Sequence, residues 1–138
     1  MENDNRGFSL VELIVVVAIM LAMVGIIAPA YMSYIEKTRI QRDESAAGEI
    51  YRAAEIVVYT GEYDISGQVL VTFSSAGIQL NTAIANASQV QTVLQDHFGN
   101  QYQTAKPVSK KYKNMTYTVT ILPPEGDALM PRLSAGWS

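Results

Sequence analysis

The sequence has 138 residues and no cysteine, and this absence excludes disulfide bonds and cysteine-ligated metal sites. Its single histidine, His97, has no nearby pair of carboxylates and no spacing typical of a metal ligand. The sequence also lacks a glycine-rich phosphate loop and any pairing of a nucleophile with a base. Its net charge of −3 does not indicate a nucleic-acid-binding domain. We therefore predict that the protein is not an enzyme and uses no cofactor or metal.

Charge is also scarce in one long stretch of the chain, because Glu12 is the only charged residue between Phe8 and Tyr34. Leu13–Ala30 contains no polar side chain, and with the residues before it this segment could cross a bilayer core of about 30 Å as a helix. A carboxylate in such a helix costs about 2.5–3.5 kcal/mol at the bilayer centre and less near an end. Glu12 is therefore a candidate functional residue.

The position of Gly7 bears on how the apolar segment is processed. A secretory signal has a short apolar stretch followed by small residues at the cleavage site. Here the apolar stretch is too long for such a signal, and the small residue, Gly7, stands before it. If cleavage occurs between Gly7 and Phe8, the apolar helix stays on the mature protein and a new amine forms at Phe8.

The residues of Gly7–Glu12 (GFSLVE) resemble the class III signal of type IV pilins and pseudopilins. This resemblance implies that a membrane-bound prepilin peptidase cuts after Gly7 and N-methylates the amine of Phe8. It places Glu12 at the fifth mature position, where the family carries a glutamate. The resemblance extends over about Arg6–Thr60 and is closest over the first part of that range. The leader departs from the family pattern, because its acidic residues outnumber its single arginine.

Pro29 stands where a proline often interrupts the helix of this family. Proline removes one backbone hydrogen bond and clashes with the preceding turn, and Gly25 has low helix propensity. We predict that the helix is only kinked in the isolated subunit. In an assembled filament we predict an interruption between about Gly25 and Tyr31, where neighbouring subunits can shield an extended stretch of backbone.

The signal at the N-terminus and the distribution of apolar residues predict three regions and an α+β fold. Residues 1–7 form the leader peptide, residues 8–34 the transmembrane or filament-core helix, and residues 35–138 an amphipathic continuation of that helix followed by a globular head. A helix from Phe8 to about Tyr59 would be roughly 78 Å long at the standard rise. We expect this long helix to pack through its second half on a small antiparallel β-sheet.

Beyond Tyr34 the helical pattern becomes amphipathic. Apolar residues recur at steps of three and four, which is typical of one buried helical face. Charged residues fall largely elsewhere, among them Arg39 and Asp43, which have the spacing of a helical ion pair. We predict that the apolar stripe packs against the sheet. The stripe consists of Ala46, Ala47, Ile50, Ala53, Ala54, Val57 and Val58.

The rest of the chain predicts a few short elements of the head. Alternation of apolar residues with threonine gives the clearest strand, which a pair of prolines ends. A short helix is also predicted, and Gly99 ends it. The predicted elements are a strand at Gln68–Ser74, a helix at Ser88–Phe98, a strand at Met115–Ile121 and a tail or edge segment at Pro131–Ser138.

The resemblance implies a structural subunit of an extracellular type IV pilus, as a major rather than a minor pilin. The implied partners are other copies of the chain, the prepilin peptidase, the pilus assembly platform and, before assembly, the cytoplasmic membrane. A carboxylate in low dielectric needs a counter-charge, and we expect Glu12 to find it in the Phe8 amine of a neighbouring subunit. Adhesion, twitching motility and DNA uptake are family functions among which the head sequence does not choose.

Two other functions stay open. A pseudopilin of a type II secretion system shares the same N-terminal features, but such proteins often carry a calcium-binding loop near the C-terminus. Here that region offers only Glu125 and Asp127 as carboxylates, too few to argue for calcium. A membrane-anchored binding domain that never polymerises is the third reading, and it predicts that Glu12 can be replaced without consequence.

Four lysines and a tyrosine form the remaining candidate site. Such a cluster could contact nucleic acid through cations and an aromatic ring. Lysine-rich surface loops are far more often simply solvated, so we expect a solvated loop and keep nucleic-acid binding through Lys110, Lys111 and Lys113 as the alternative. Lys106 and Tyr112 complete the cluster.

Overall fold

The computed structural model describes residues 7–60, 67–81, 87–127 and 130–138. Contacts divide the chain into two units, Met1–Lys37 and Thr38–Ser138. We call the second of these the head unit. The leader residues before Gly7 lie outside the described residues, so the structure does not bear on their predicted role.

A single helix, α1, spans Leu10–Tyr59 and contains Pro29. The sequence predicts a start at Phe8, but the helix begins two residues later. The helix assignment continues through Gly25 and Pro29 in this single chain. The structure therefore contains no break at the proline, and an interruption in a filament stays a prediction.

The part of α1 that belongs to the head unit buries the apolar stripe that the sequence predicts. Ile50 and Val57 are each 1% exposed, and they share one cluster with the inward-facing residues of the sheet. This confirms the predicted packing of the helix on the sheet and the α+β class. The helix contributes Ile50, Ala53, Ala54, Val57 and Val58 to the cluster, and the sheet contributes Val69, Val71, Phe73, Ile78, Val119 and Ile121.

The sheet has four antiparallel strands in the order β2-β1-β3-β4. Burial alternates along the two central strands, because successive side chains point to opposite faces. The C-terminal segment, which the sequence predicts as a tail or an edge, forms the edge strand beside β3. The strands are β1 at Val69–Ser74, β2 at Gly77–Asn81, β3 at Tyr117–Leu122 and β4 at Arg132–Trp137.

The strand β2 is missing from the sequence prediction. It pairs with β1 through a two-residue turn, Ser75–Ala76, which lacks the Asn-Gly or Asp-Gly signal of such hairpins. Gly77 opens the strand with a φ of +104°, a conformation that side chains other than glycine rarely adopt. A Cβ atom there would lie 1.8 Å from the carbonyl oxygen of Gln103, so only glycine fits.

The remaining elements are a second helix and a short 3-10 turn. Helix α2 spans Ala87–Phe98, close to its predicted range. It ends as predicted at Gly99, which has a φ of +78° and donates its N–H to the carbonyl of Gln95 at 2.7 Å. The helix adds Val90 and Leu94 to the core, and the 3-10 turn, at Tyr102–Thr104, adds its buried tyrosine.

Candidate functional site

The predicted cleavage site lies just before the first helix. Residues 7–9 have no regular secondary structure and are exposed, so the Gly7–Phe8 bond is accessible along the chain. A Cβ atom at Gly7 would meet no atom within 4 Å. Packing within the described residues therefore gives no reason for glycine at this position, which suits a residue that an external protease selects for its small size.

Ser9 and Glu12 form a reciprocal cap at the start of α1. The N–H of Glu12 donates to the Ser9 Oγ atom at 3.2 Å, and the N–H of Ser9 donates to the Glu12 carboxylate at 3.1 Å. The Ser9 carbonyl accepts the first helical hydrogen bond, from Leu13, at 3.2 Å. Such a capping box satisfies backbone donors that the first turn leaves without helical partners.

This cap is a role for Glu12 that the sequence interpretation misses. The signal was available, because Ser-x-x-Glu before an apolar run is the pattern of a capping box. A carboxylate can accept about four hydrogen bonds, and the box uses one of them. The cap uses only groups of Ser9 and Glu12, so cleavage before Phe8 leaves all of them in place. Capping within the subunit and charge pairing between subunits are therefore compatible roles of one side chain.

The apolar half of α1 is exposed along its whole length in the single chain. Every residue from Gly7 to Tyr34 is exposed, with Phe8 at 91% and Ile26 at 77%. The helix is long and apolar enough to cross a membrane. Burying a large apolar side chain contributes about 1.5–3 kcal/mol, so a surface of this extent in water would favour either lipid or association with other copies.

Gly25 and Pro29 lie inside this exposed part of the helix. A Cβ atom at Gly25 would meet nothing within 4 Å, so contacts in the single chain do not require glycine there. Glycine in a helix costs about 1 kcal/mol relative to alanine, and an interior proline removes a hydrogen bond. These two residues therefore make Gly25–Pro29 the weakest stretch of the exposed helix by backbone propensity.

The lysine-rich segment lies on α1 of the head unit, and a buried aspartate holds it there. We call residues 105–114 the lysine loop. The carboxylate of Asp43 accepts hydrogen bonds from the N–H of Val108 at 2.9 Å, the N–H of Ser109 at 2.8 Å and the Ser109 hydroxyl at 2.5 Å. Asp43 is only 1% exposed. Its predicted place on the exposed side of the helix is therefore wrong, because the loop folds over it.

Tyr112 of the lysine loop is a packing residue. Its side chain is 5% exposed, and its ring stacks on Trp137 at a centroid distance of 4.1 Å. Tyr117 and Phe73 approach the same tryptophan from the sheet. Because the ring is covered, it cannot serve as a platform for a nucleic-acid base. The alternative of nucleic-acid binding therefore loses the aromatic contact and keeps only the lysine side chains.

Glu44, Tyr112 and Lys111 make a polar contact at the rim of this cluster. The Tyr112 hydroxyl donates to Glu44 at 2.7 Å, and the Lys111 Nζ atom lies 3.5 Å from the same oxygen. The Tyr112 hydroxyl, followed by the charge of Lys111, holds the pKa of Glu44 below its usual range. The same hydroxyl and the Glu44 carboxylate raise the pKa of Lys111.

We predict that Tyr112→Phe raises the pKa of Glu44 toward its ordinary value of 4.5, because the variant lacks the donating hydroxyl. A group with a lowered pKa in the folded state stabilises the fold above its unfolded pKa, and that contribution is lost as the pH falls through the folded value. Titration of the Glu44 carboxyl by NMR, in micelles, measures the shift. Tyr102→Phe is the control and should leave Glu44 unchanged; an equal Glu44 pKa in both variants would contradict the assignment.

The loop between β3 and β4, which contains Glu125 and Asp127, gives no support to a calcium site. Glu125 forms an ion pair with Arg132, so one of the two candidate carboxylates already has a cationic partner. Among the described residues, no group of three His, Asp or Glu side chains is placed to hold a metal ion.

Comparison with known proteins finds one family model and several relatives that each match part of the chain. The family model described as "Prokaryotic N-terminal methylation motif" matches residues 3–28. The type IV major fimbrial protein FimA of Dichelobacter nodosus is 36% identical over 62 residues, which is 45% of this chain and 40% of that protein. A fimbrial protein of Pseudomonas aeruginosa is 34% identical over 62 residues, with coverage of 45% and 40%.

These matches confirm the resemblance to type IV pilins that the sequence predicts. They also show that the resemblance covers less than half of the chain. The aligned part of the chain spans about 40% of the length of these relatives. No solved structure shows significant similarity to the chain. The comparisons therefore bear on the signal and on the kind of protein that carries it, and they do not test the roles of individual residues.

Proposed function

We propose that this chain is the structural subunit of a type IV pilus, a helical filament outside the cell that is built mainly from copies of the subunit. The observation that carries the proposal is a methylation motif, residues 3–28, whose apolar helical part is fully exposed in the single chain. A helix of this kind needs a dry environment both before and after the subunit leaves the membrane. A filament core of packed helices supplies the second environment.

In this proposal the regions of the chain have successive roles. Residues 1–7 are removed as a leader, and residues 8–34 first span the cytoplasmic membrane and then line the filament core. Residues 35–138 continue the helix and present the sheet outward. The junction before Phe8 is exposed and nonhelical, as a protease substrate must be. The prepilin peptidase and the assembly platform are the proposed partners at these two steps.

The register between subunits would come from Glu12. After cleavage Phe8 carries an α-amine with a pKa of about 7.7–8, so it is largely protonated at neutral pH. Attraction between this amine and the Glu12 carboxylate of another subunit grows as the dielectric falls. An apolar filament core therefore stabilises one axial offset between neighbouring helices, namely the offset that brings these two charges together.

The mass of the protein in sheared filaments tests the proposal. We expect the intact mass to lack residues 1–7 and to carry one additional methyl group on Phe8. Electron microscopy of cells with and without the gene provides the companion measurement, because filaments should appear only in its presence. A protein that retains Gly7, or cells that form no filament, would overturn the proposal.

We predict that the helix is interrupted between Gly25 and Tyr31 in the filament, although α1 is continuous there in the single chain. Lipid offers no water to bond with freed backbone groups, which favours a continuous helix before assembly. In the filament, neighbouring subunits can shield an extended stretch. Cryo-electron microscopy should show the break, and Pro29→Ala should restore helical density and change the axial rise per subunit.

Val24→Ala is the matched control for this experiment. It removes side-chain volume in the same stretch without changing the backbone's hydrogen-bonding capacity, so its filaments should keep the wild-type rise. Unbroken helical density through residues 22–32 of wild-type filaments would show that the interruption does not exist. Pro29→Ala filaments of unchanged rise would show that the proline has no part in it.

A further inference from the structure

The positive charge of the chain is concentrated in two short segments of the head unit. Residues 38–42 and 106–113 contain six of the ten Lys and Arg residues and no Asp or Glu. All six side chains are exposed. This concentration contrasts with the net charge of −3 of the whole chain. The six residues are Arg39, Arg42, Lys106, Lys110, Lys111 and Lys113.

The fold brings these two segments together, although they lie more than 60 residues apart in sequence. The hydrogen bonds from the lysine loop to Asp43 fix Val108 and Ser109 beside the first turns of α1 in the head unit. A shallow groove of about 480 Å³ runs between them, lined by Thr38, Arg39, Arg42 and Val108. We call Arg39, Arg42 and Val108 of this groove, together with Lys106 and Lys110 two residues to either side of Val108 in sequence, the basic face.

The basic face has an apolar tip. Val108 is 39% exposed, while its neighbours Pro107 and Ser109 are buried and anchor the loop. An exposed apolar side chain between cationic ones is the pattern of segments that lie at a membrane surface, where the apolar group enters the headgroup region and the cations meet phosphates.

Two acidic groups near the basic face, Asp43 and Glu44, are engaged within the head unit. Asp43 is buried and its charge faces the N–H groups of the lysine loop. Glu44 accepts the Tyr112 hydroxyl and lies beside Lys111. Neither of these two carboxylates is therefore placed to cancel the field of Arg42 and Lys106 toward solvent.

The position of the basic face along the chain selects which anion it would meet. Arg39 and Arg42 follow Tyr34, the end of the apolar segment, by five and eight residues. At the helical rise this is about 8–12 Å along α1, which is comparable to the Debye length of about 8 Å at physiological ionic strength. If the apolar segment lies in a bilayer, as the proposed function requires, these cations are within reach of the lipid phosphates.

We infer that the basic face binds the phosphate groups of anionic lipids at the membrane surface, and so holds the head unit against the membrane before assembly. This inference rests on the proposed membrane-anchored stage. Nucleic acid fits the same charges less well, because the one aromatic ring of the lysine loop is covered by Trp137 and cannot stack on a base. Release from the lipid would accompany transfer of the subunit to a filament.

The absence of cysteine allows a direct test on the full chain in lipid vesicles. Val108→Cys carries a fluorescent label at the basic face. Asp127→Cys carries the same label in the loop after β3, at the end of the sheet opposite the Tyr117–Trp137 pair. Brominated lipids quench a label that enters the bilayer surface. Vesicles contain phosphatidylcholine alone or with phosphatidylglycerol, and flotation of the chain with the vesicles reports anchoring separately.

We expect phosphatidylglycerol to raise quenching at position 108 roughly twofold or more, with little change at position 127, because attraction to an anionic surface acts only over a short range. Raising the salt concentration to about 1 M, where the Debye length is near 3 Å, should remove the increase. Combining Arg42→Glu with Lys106→Glu should also remove it. Arg52→Glu, an exposed charge reversal elsewhere on α1, should not.

Three results would overturn the inference. Equal quenching at position 108 with and without phosphatidylglycerol, in a chain that floats, would refute lipid binding while leaving the proposed pilus function intact. Failure of the chain to float would refute the anchored stage and the proposed function with it. Displacement of the label from the membrane by duplex DNA at physiological salt, with a matching electrophoretic shift, would assign the face to nucleic acid.

Discussion

Asp43→Ala is expected to cost the head unit about 3–4 kcal/mol of unfolding free energy, because it removes the acceptor of several buried hydrogen bonds. The N–H and hydroxyl of Ser109, which is 0% exposed, would lose their partner along with the N–H of Val108. Small domains have only about 5–15 kcal/mol of stability. A loss of this size would leave a large part of the lysine loop detached from α1.

Chemical denaturation followed by tryptophan fluorescence measures this loss. Trp137 is the only tryptophan and stacks on Tyr112, so its emission reports the region that Asp43 holds. Asp43→Asn keeps one acceptor oxygen, and its loss should fall between those of the alanine variant and the wild type. Glu49→Ala changes an exposed carboxylate of the same helix and should stay within about 0.5 kcal/mol of wild type. Equal stability of Asp43→Ala and Glu49→Ala would contradict the anchoring role.

Asp43 also shows where the sequence is informative and where it is silent. It stands four residues before Ala47 and seven before Ile50, so it continues the spacing of the buried stripe. A charged residue in that register was a readable sign of burial. Its partners, however, lie 65 and 66 residues away in a loop without secondary structure, and no local pattern specifies which loop covers a helix.

The same contrast holds for the strands. The central strands β1 and β3 are rich in β-branched and aromatic residues, which fit strands that pack one face against α1. The strand β2 has little alternation, and its turn lacks the usual residues. What establishes this edge strand is its pairing with β1 and the close approach of Gln103 to Gly77, which are contacts between distant parts of the chain.

The features of the N-terminal site are local in sequence, so the sequence alone brings them to attention. The junction before Phe8, the apolar run and the position of Glu12 all lie within one continuous stretch of sequence. The family model matches the same end of the chain, at residues 3–28. The capping pair of Ser9 and Glu12 is equally local, because its Ser-x-x-Glu spacing lies within one helical turn.

Glu12→Ala is expected to be cleaved and inserted normally but to reduce the number of filaments per cell by roughly tenfold or more, since tenfold in an equilibrium corresponds to about 1.4 kcal/mol. Leaving one member of a desolvated charge pair without its partner costs more than that, about 3–5 kcal/mol. The Phe8 amine would be the member left behind in the filament core. Immunoblots of the processed protein and electron microscopy of filaments measure the two steps separately.

Alanine at position 12 removes the carboxylate's half of the cap as well as the charge, so two further variants are needed to separate these roles. Glu12→Gln keeps a side chain that can accept the Ser9 N–H, as glutamine does in capping boxes, but carries no charge. Ser9→Ala keeps the charge and loses the hydroxyl acceptor, at a cost of about 1 kcal/mol to the helix start.

If charge pairing between subunits sets the register, Glu12→Gln should assemble as poorly as Glu12→Ala, while Ser9→Ala should form filaments in nearly wild-type numbers. The reverse pattern, with filaments in Glu12→Gln and none in Ser9→Ala, would make the cap the function of Glu12 and end the register hypothesis. Normal filaments in all three variants would remove Glu12 from assembly altogether. The wild-type side chain can serve both roles at once, because the cap occupies only one carboxylate oxygen position and leaves the charge in place for the neighbouring subunit's amine.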